Sequence, residues 1–248
     1  MPLPKEALGR VTDEEGKVTT HVDLLLHGES GAGKTFRAAT APGPIYVLST
    51  DPTGHKSVPF KADGKVVRRV QDVREVITGF KEGGHGYSSL LFDGLSFMYD
   101  LFLMEVGQDF YETKGAKDPH MLPQGAYGKI MGMYRDMLRA VVNLTQVENE
   151  ADRVHVIFTT LSERLKEDDE APFKIRPLFG SAKMNEKFAA IPSIIGYIRQ
   201  SEKTTEKGQP DETRVMLFTN YKGIMARDRL GIFPGIMTEA PNLSEYLK

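Results

Sequence analysis

The chain has 248 residues, of which 40% are hydrophobic and 27% charged, so it can bury the core of a globular domain and is not disordered. Its formal net charge of −2 indicates no general affinity for nucleic acid, so that such a role requires a local basic surface. It has no cysteine, which excludes disulfides and thiolate metal sites.

A cytoplasmic protein without membrane contact is expected, because no apolar run is long enough to span a bilayer and the first residues lack a signal-peptide core. In the first half of the chain, residues 1–20 are a polar lead-in. Helical spacing of apolar residues predicts one helix over 72–81 and another that ends near Met104. Short apolar runs predict four strands, at 22–26, 45–48, 66–70 and 89–92.

The second half contains two long polar segments, 106–127 and 161–180, which are predicted to be loops. Its predicted regular elements are a helix over 128–147, a strand at 155–159 and a hairpin of strands at 194–200 and 214–219. The alternation predicts an α/β fold, with a mostly parallel twisted sheet, helices on both faces and a C-terminal β-hairpin. Both loops follow strand ends, where open α/β sheets bind their ligands.

Residues 28–35 read Gly-Glu-Ser-Gly-Ala-Gly-Lys-Thr, a complete match to the phosphate-binding P-loop pattern. The glycines allow successive N–H groups to converge on phosphate oxygens at the start of a helix. Lys34 would reach the β- and γ-phosphates, and the Thr35 hydroxyl would ligate Mg²⁺. The predicted nucleotide-binding residues are Gly28, Glu29, Ser30, Gly31, Ala32, Gly33, Lys34, Thr35 and Phe36.

Two carboxylates follow predicted strands. Leu90-Leu91-Phe92-Asp93 has the form of a Walker B element, in which Asp93 would hold Mg²⁺ through a water, opposite Thr35. Asp51 ends the strand at 45–48, and two interpretations of it stay open. It could polarise the water that attacks the γ-phosphate, or it could simply begin a turn, as aspartate often does.

Arg227 and Arg229 flank Asp228 after the predicted hairpin. At i and i+2 on an extended segment their side chains point to the same side. They could reach one phosphate as a pair, because arginine suits the stabilisation of transition-state charge. The alternative interpretation is a solvated turn.

In this order the motifs resemble those of the RecA-like ATPase superfamily, and above all the small phage-encoded RecA-like proteins associated with single-strand annealing and recombination. The resemblance covers residues 22–235, within a predicted ATPase domain at 21–235 that is followed by a tail at 236–248. It implies a RecA-like P-loop core that binds ATP and Mg²⁺, acts on single-stranded DNA, and self-associates with the nucleotide at the subunit interface. The catalytic residues that it implies are Lys34, Asp51 and Asp93, with Arg227 and Arg229 acting on a neighbour's site.

Two departures from the family pattern bear on hydrolysis. Asp51 stands where the family commonly has glutamate, and Thr159 or Thr160 stands where a glutamine or histidine sensor is common. The expected activity is a Mg²⁺-dependent ATPase in recombination or annealing. The alternatives are a nucleotide-gated binding module with little hydrolysis and a replicative-helicase-type motor.

The second long loop and the residues after it carry cations interleaved with Phe173 and Phe179, a combination used for binding single strands. The acidic run at 167–170 offsets this charge, so a solvated loop is the alternative. The candidate DNA-binding residues are Arg164, Lys166, Lys174, Arg176 and Lys183.

Overall fold

The computed structural model describes residues 21–51, 53–114, 122, 124–166, 173–201 and 213–247. Its helices are α1 (Lys34–Ala38), α2 (Val70–Glu82), α3 (Leu95–Lys114), α4 (Gln124–Val142) and α5 (Ala182–Phe188). Its strands are β1 (Asp23–Gly28), β2 (Ile45–Ser49), β3 (Asp63–Val66), β4 (Ser89–Asp93), β5 (His155–Leu165), β6 (Lys174–Pro177), β7 (Ile194–Gln200), β8 (Arg214–Leu217), β9 (Arg227–Asp228) and β10 (Ile236–Met237).

These strands form one sheet in the order β10-β8-β7-β1-β5-β4-β2-β3, with β6 beside β5 and β9 beside β7. The neighbours from β7 to β3 run parallel, whereas β8 is antiparallel to β7. The prediction of a mostly parallel sheet with a later antiparallel pair is therefore confirmed. Because parallel strands end at the same side, the carboxyl ends of β1, β2, β4 and β5 meet at one edge, here named the carboxyl edge. The opposite side is named the amino edge.

Helices α2, α3 and α4 cover one face of the sheet. On α2 the residues Val70, Val73, Ile77 and Phe80 are buried, which confirms the helical spacing that predicted this element. The other face is covered by α1 and by the C-terminal segment, in which Leu243 is fully buried. The residues predicted as a tail thus pack on the core, since β10 pairs with β8.

The predicted loop at 106–127 is wrong over most of its described length, because α3 continues to Lys114 and α4 already begins at Gln124. Phe102, Val106 and Phe110 recur every four residues and pack into the core, so the polar residues between them form the exposed side of a helix. The helix predicted at 128–147 starts earlier and ends at Val142, where a short 3₁₀ turn follows.

The predicted loop at 161–180 is also wrong in part. β5 continues past its parallel neighbours to Leu165 and pairs with β6 in an antiparallel hairpin. The acidic run at 167–170 lies outside the described residues. The strand predicted at 66–70 lies at 63–66 instead. Of the apolar residues that suggested a strand, Val67 is buried just after β3 and Val70 is buried as the first residue of α2. Among the described helices, none combines the length and apolar character needed to cross a bilayer.

Candidate nucleotide site

The P-loop connects β1 to α1 at the carboxyl edge. Gly31 and Gly33 have φ values of 76° and 90°, a left-handed conformation that is strained for residues with a side chain. Gly28 packs so closely on β7 that a methyl group there would lie 2.3 Å from the carbonyl oxygen of Ile198. The loop therefore requires glycine at three places for backbone reasons.

Lys34 places its ammonium group against the loop itself. Its Nζ donates to the carbonyl oxygens of Gly28 at 3.1 Å and Glu29 at 2.8 Å. Burial lowers the pKa of Lys34, and the carboxylates of Asp93 and Asp51 partly oppose this shift. The cation thus lies beside the backbone N–H groups that the motif directs at phosphate.

Asp93, at the end of β4, is 2% exposed and accepts two hydroxyl hydrogen bonds at one oxygen. Thr35 Oγ1 donates to its Oδ1 at 2.7 Å, and Thr159 Oγ1 donates to the same atom at 2.6 Å. Thr159 in turn accepts from the backbone N–H of Gly94 at 2.9 Å. A hydroxyl beside a carboxylate is the kind of oxygen set that Mg²⁺ prefers, so Thr35 and Asp93 fit the predicted metal.

A cavity of about 490 Å³ opens beside these groups, and Asp51 and Asp93 are on its wall. Six of the nine predicted nucleotide-binding residues line it, namely Ser30, Gly31, Gly33, Lys34, Thr35 and Phe36. Gly28 and Glu29 contribute the carbonyls that contact Lys34. Ala32 accepts a hydrogen bond from Arg214 Nε at 3.1 Å, a contact with β8 that the sequence did not predict.

Of the two interpretations that the sequence of Asp51 left open, the structure confirms the turn, and the role in polarising water stays a prediction. Its Oδ1 accepts hydrogen bonds from the backbone N–H of Thr53 at 2.8 Å and from the Thr53 hydroxyl at 2.9 Å, so it begins a turn. It also faces the cavity. The turn fixes the orientation of a carboxylate that lies at the cavity wall.

Sequence reasoning missed His27, a fully buried residue that comes directly before the P-loop. Its Nε2 is 2.7 Å from the carbonyl oxygen of Met225 and its Nδ1 is 2.9 Å from Ser162 Oγ. A carbonyl only accepts, so Nε2 donates and Nδ1 accepts from the serine. Burial is the main reason that the pKa of His27 falls to about 4. A polar residue at the end of an apolar run, directly before the P-loop, was the signal that could have revealed it.

Arg227 and Arg229 lie at the amino edge, far from the P-loop of their own chain, because β9 pairs with the start of β7. Arg227 donates to the carbonyl oxygens of Ala189 at 2.5 Å and Pro192 at 2.9 Å. Arg229 is exposed and lies 3.4 Å from the carbonyl oxygen of Ala190. The two side chains do share a side, but the group that they contact is the chain's own backbone.

The register of the hairpin divides the predicted DNA-binding cations between its two faces. Arg164 pairs with Ile175 and Glu163 pairs with Arg176, so Arg164 and Arg176 point to opposite sides. Arg176 forms ion pairs with Glu163 and Glu186. Lys174 is exposed on the face of Arg176, and Lys183 is exposed on α5.

Phe173 and Phe179, both predicted to interleave with these cations, have different environments. Phe179 is fully buried in the core, so its predicted role in stacking is wrong. Phe173 is 42% exposed, with the Arg164 guanidinium 3.8 Å and the Lys166 ammonium 5.9 Å from its ring centre.

A second exposed aromatic lies on the turn that is hydrogen-bonded to β6. Ile175 donates to the Gly223 carbonyl at 3.0 Å and accepts from the Met225 N–H at 2.8 Å. On this turn Lys222 Nζ is 5.2 Å from the ring centre of Tyr221. We name this surface the platform, and its members are Arg164, Lys166, Phe173, Tyr221 and Lys222.

A strand, P-loop and helix beside a Walker B carboxylate define a P-loop nucleoside triphosphatase. A family model described as an AAA domain matches residues 20–230. The chain therefore belongs to this family of P-loop ATPases, which confirms the predicted nucleotide-binding class. No curated protein matches the chain. The narrower likeness to phage RecA-like proteins stays a prediction.

The buried histidines predict how stability depends on pH. His155, 3% exposed at the start of β5, accepts from the Val22 N–H, and burial followed by the charge of His21 lowers its pKa to about 4. Between the ordinary value of 6.5 and about 4, the folded state therefore binds fewer protons than the unfolded state at both His27 and His155. The free energy of unfolding should be greatest above pH 6.5 and fall by about 3 kcal/mol per histidine by pH 4.

Urea denaturation at pH 7.5, 6 and 5 measures this dependence. His155→Gln should flatten it by removing the contribution of one histidine, with the exposed Lys81→Ala as a control that keeps the wild-type slope. The same slope in His155→Gln and in wild type would contradict the assignment.

Proposed function

We propose that the chain is a Mg²⁺-dependent ATPase that acts on single-stranded DNA in recombination or strand annealing. The observation that carries the enzymatic part is the 2.7 Å hydrogen bond between the Thr35 hydroxyl and the Asp93 carboxylate. It brings a hydroxyl of the P-loop and the carboxylate of the Walker B strand together, so that both could contribute to one cation site. We propose ATP rather than another nucleotide because the chain belongs to a family of ATPases.

Each residue of the nucleotide site would have a separate role in phosphoryl transfer. Lys34 would stabilise negative charge on the β- and γ-phosphates. Thr35 would ligate Mg²⁺ directly and Asp93 through a water, and the metal would neutralise charge that develops on the phosphates. Asp51, oriented by its turn, would direct the attacking water. Thr159 holds the Asp93 carboxylate in place through its hydroxyl.

Lys34→Ala and Asp93→Asn should each lower kcat for ATP by about 100-fold or more, because each removes a preorganised charge at the reacting phosphates. Phosphate release at saturating MgATP measures the effect. Lys81→Ala, an exposed lysine on α2, is the matched control and should keep the wild-type rate. Unchanged turnover in Lys34→Ala would remove the proposed site.

A nucleotide-gated binding module with little hydrolysis is the second candidate. The engagement of Asp51 with Thr53 favours it, because a short carboxylate held in a turn approaches the attacking water less closely than glutamate would. Phosphate release with and without single-stranded DNA discriminates between the two functions. A rate that stays at background under both conditions, despite measurable nucleotide binding, would support the binding module.

The platform supports contact with a single strand. It combines three cations with two exposed aromatic rings, Phe173 at 42% and Tyr221 at 40% exposure. Bases of any sequence stack on such rings, and cations follow the phosphate backbone. Arg176 is a weaker candidate, because Glu163 and Glu186 already neutralise its charge.

Phe173→Ala should weaken binding of oligo(dT) about tenfold, which is the scale of one lost base–aromatic stack. Phe60→Ala is the matched control, since Phe60 is 47% exposed outside the platform and should leave affinity unchanged. Fluorescence anisotropy across a salt series measures both variants, and affinity should fall as salt rises. Equal effects of the two substitutions would contradict the assignment.

Self-association would complete the nucleotide site of one copy with an arginine of another copy. The P-loop lies at the carboxyl edge and Arg229 at the amino edge, so Arg229 can reach the phosphates of another copy but not its own. Arg227 is less suited to this role, because it is only partly exposed and donates to two backbone carbonyls. Both would act in trans by resemblance, with Arg229 as the group that contacts phosphate.

Arg229→Ala and Lys34→Ala subunits should each have low ATPase activity, and mixing them should restore part of it. In the mixture an intact P-loop can face an intact Arg229 on a neighbour. The rate is measured at fixed total protein while the ratio of the two variants is changed, with each variant alone as control. No recovery at any ratio, or a wild-type rate in Arg229→Ala alone, would contradict action in trans.

A further inference from the structure

Three segments meet at His27, just below the platform. The first is the end of β1, which continues into the P-loop. The second is the extension of β5, where Ser162 lies two residues before Arg164. The third is the segment after the Tyr221–Lys222 turn, where Met225 offers its carbonyl. The His27 ring is 2.9 Å from Ser162 Oγ of the second segment and 2.7 Å from the Met225 carbonyl oxygen of the third, and it is hydrogen-bonded to both.

Neither hydrogen bond of His27 is easily replaced by a hydrogen bond to water. His27 is 0% exposed, and its ring packs 5.1 Å from the ring of Tyr197. If the end of β1 moved alone, a buried ring nitrogen would lose its partner, which is unfavourable. Ser162 and Met225 therefore have to follow a displacement of His27.

The same residue is coupled to the nucleotide loop through the backbone. His27 is bonded covalently to Gly28, whose carbonyl oxygen accepts from Lys34 Nζ at 3.1 Å. A phosphate group that attracts the ammonium group competes with this carbonyl for it. Binding therefore acts on the residue that directly follows His27.

We propose that His27 is a positioning residue that transmits nucleotide binding at the P-loop to the platform, so that the platform changes geometry when MgATP or MgADP binds. The proposal rests on the nucleotide site of the proposed function but not on any binding of DNA. His27 touches neither the phosphates nor the metal in this scheme. It acts through Ser162 and Met225.

The chain contains no tryptophan, so Phe173→Trp introduces a single fluorescent reporter at the platform. Emission is recorded while MgADP or MgATP is added without nucleic acid, and calorimetry gives the nucleotide Kd of the same protein. The reporter protein should show a saturable change in emission. With His27→Gln added, we expect the change to fall to about a third or less, with a Kd within about threefold of the reporter protein.

His155→Gln is the matched control. His155 is also a buried histidine with a pKa of about 4, but it lies at the amino edge and contacts neither Ser162 nor Met225. The His155→Gln variant should have a lower free energy of unfolding and keep the full fluorescence response. Ser162→Ala is the second variant, because it removes one of the two bonds without changing the core ring, and it should also reduce the response.

The outcomes separate the two proposals. Binding heat with no change in emission, or an undiminished change in both His27→Gln and Ser162→Ala, overturns the role of His27 and leaves the nucleotide site intact. A parallel loss of response and affinity in His27→Gln also overturns it, because the residue would then only support the loop. If neither nucleotide gives any heat with the folded reporter protein, the proposed nucleotide site fails as well.

Discussion

The hydrogen bond between the Thr35 hydroxyl and the Asp93 carboxylate joins residues 58 positions apart, at the start of α1 and the end of β4. In the sheet, β5 separates β4 from β1, the strand that leads into α1. Thr159 on β5, the strand between β1 and β4, donates to the same carboxylate oxygen, so the three-residue cluster depends on the register of these strands. The parallel sheet can therefore be regarded as the support of a single small cluster of oxygens. The apolar strands fix the distances, and the hydroxyls satisfy a carboxylate that would otherwise be buried at high cost.

Buried polar side chains are concentrated where the strands of this sheet end. Thr159 and Thr160 follow the apolar part of β5, and His27 follows that of β1. Each has hydrogen-bond partners on another element, so the carboxyl edge is both polar and cross-linked. The platform lies next to this edge, because Ser162 of the β5 extension and Met225 after the turn are both hydrogen-bonded to His27. An exposed surface therefore lies next to a layer of buried, hydrogen-bonded polar residues.

Much of this could be predicted from the sequence. The P-loop and Asp93 follow from short local patterns, and the parallel sheet follows from apolar runs that alternate with helices. The loops could not be predicted in the same way. The polar residues after Met104 face solvent on a continuing helix, and the hairpin of β5 and β6 is held by register and ion pairs that no local pattern shows. The contacts of His27 join it to residues 135 and 198 positions away, so they exist only in the folded chain.

The placement of the P-loop and Arg229 at opposite ends of the sheet limits how copies could be arranged if one completes the other. If the amino edge of one copy is stacked on the carboxyl edge of the next, the contact joins unlike surfaces and is heterologous. Copies joined in this way follow one another with the same polarity. An open row would always leave its last member's catalytic centre unfinished, whereas a closed ring would leave none.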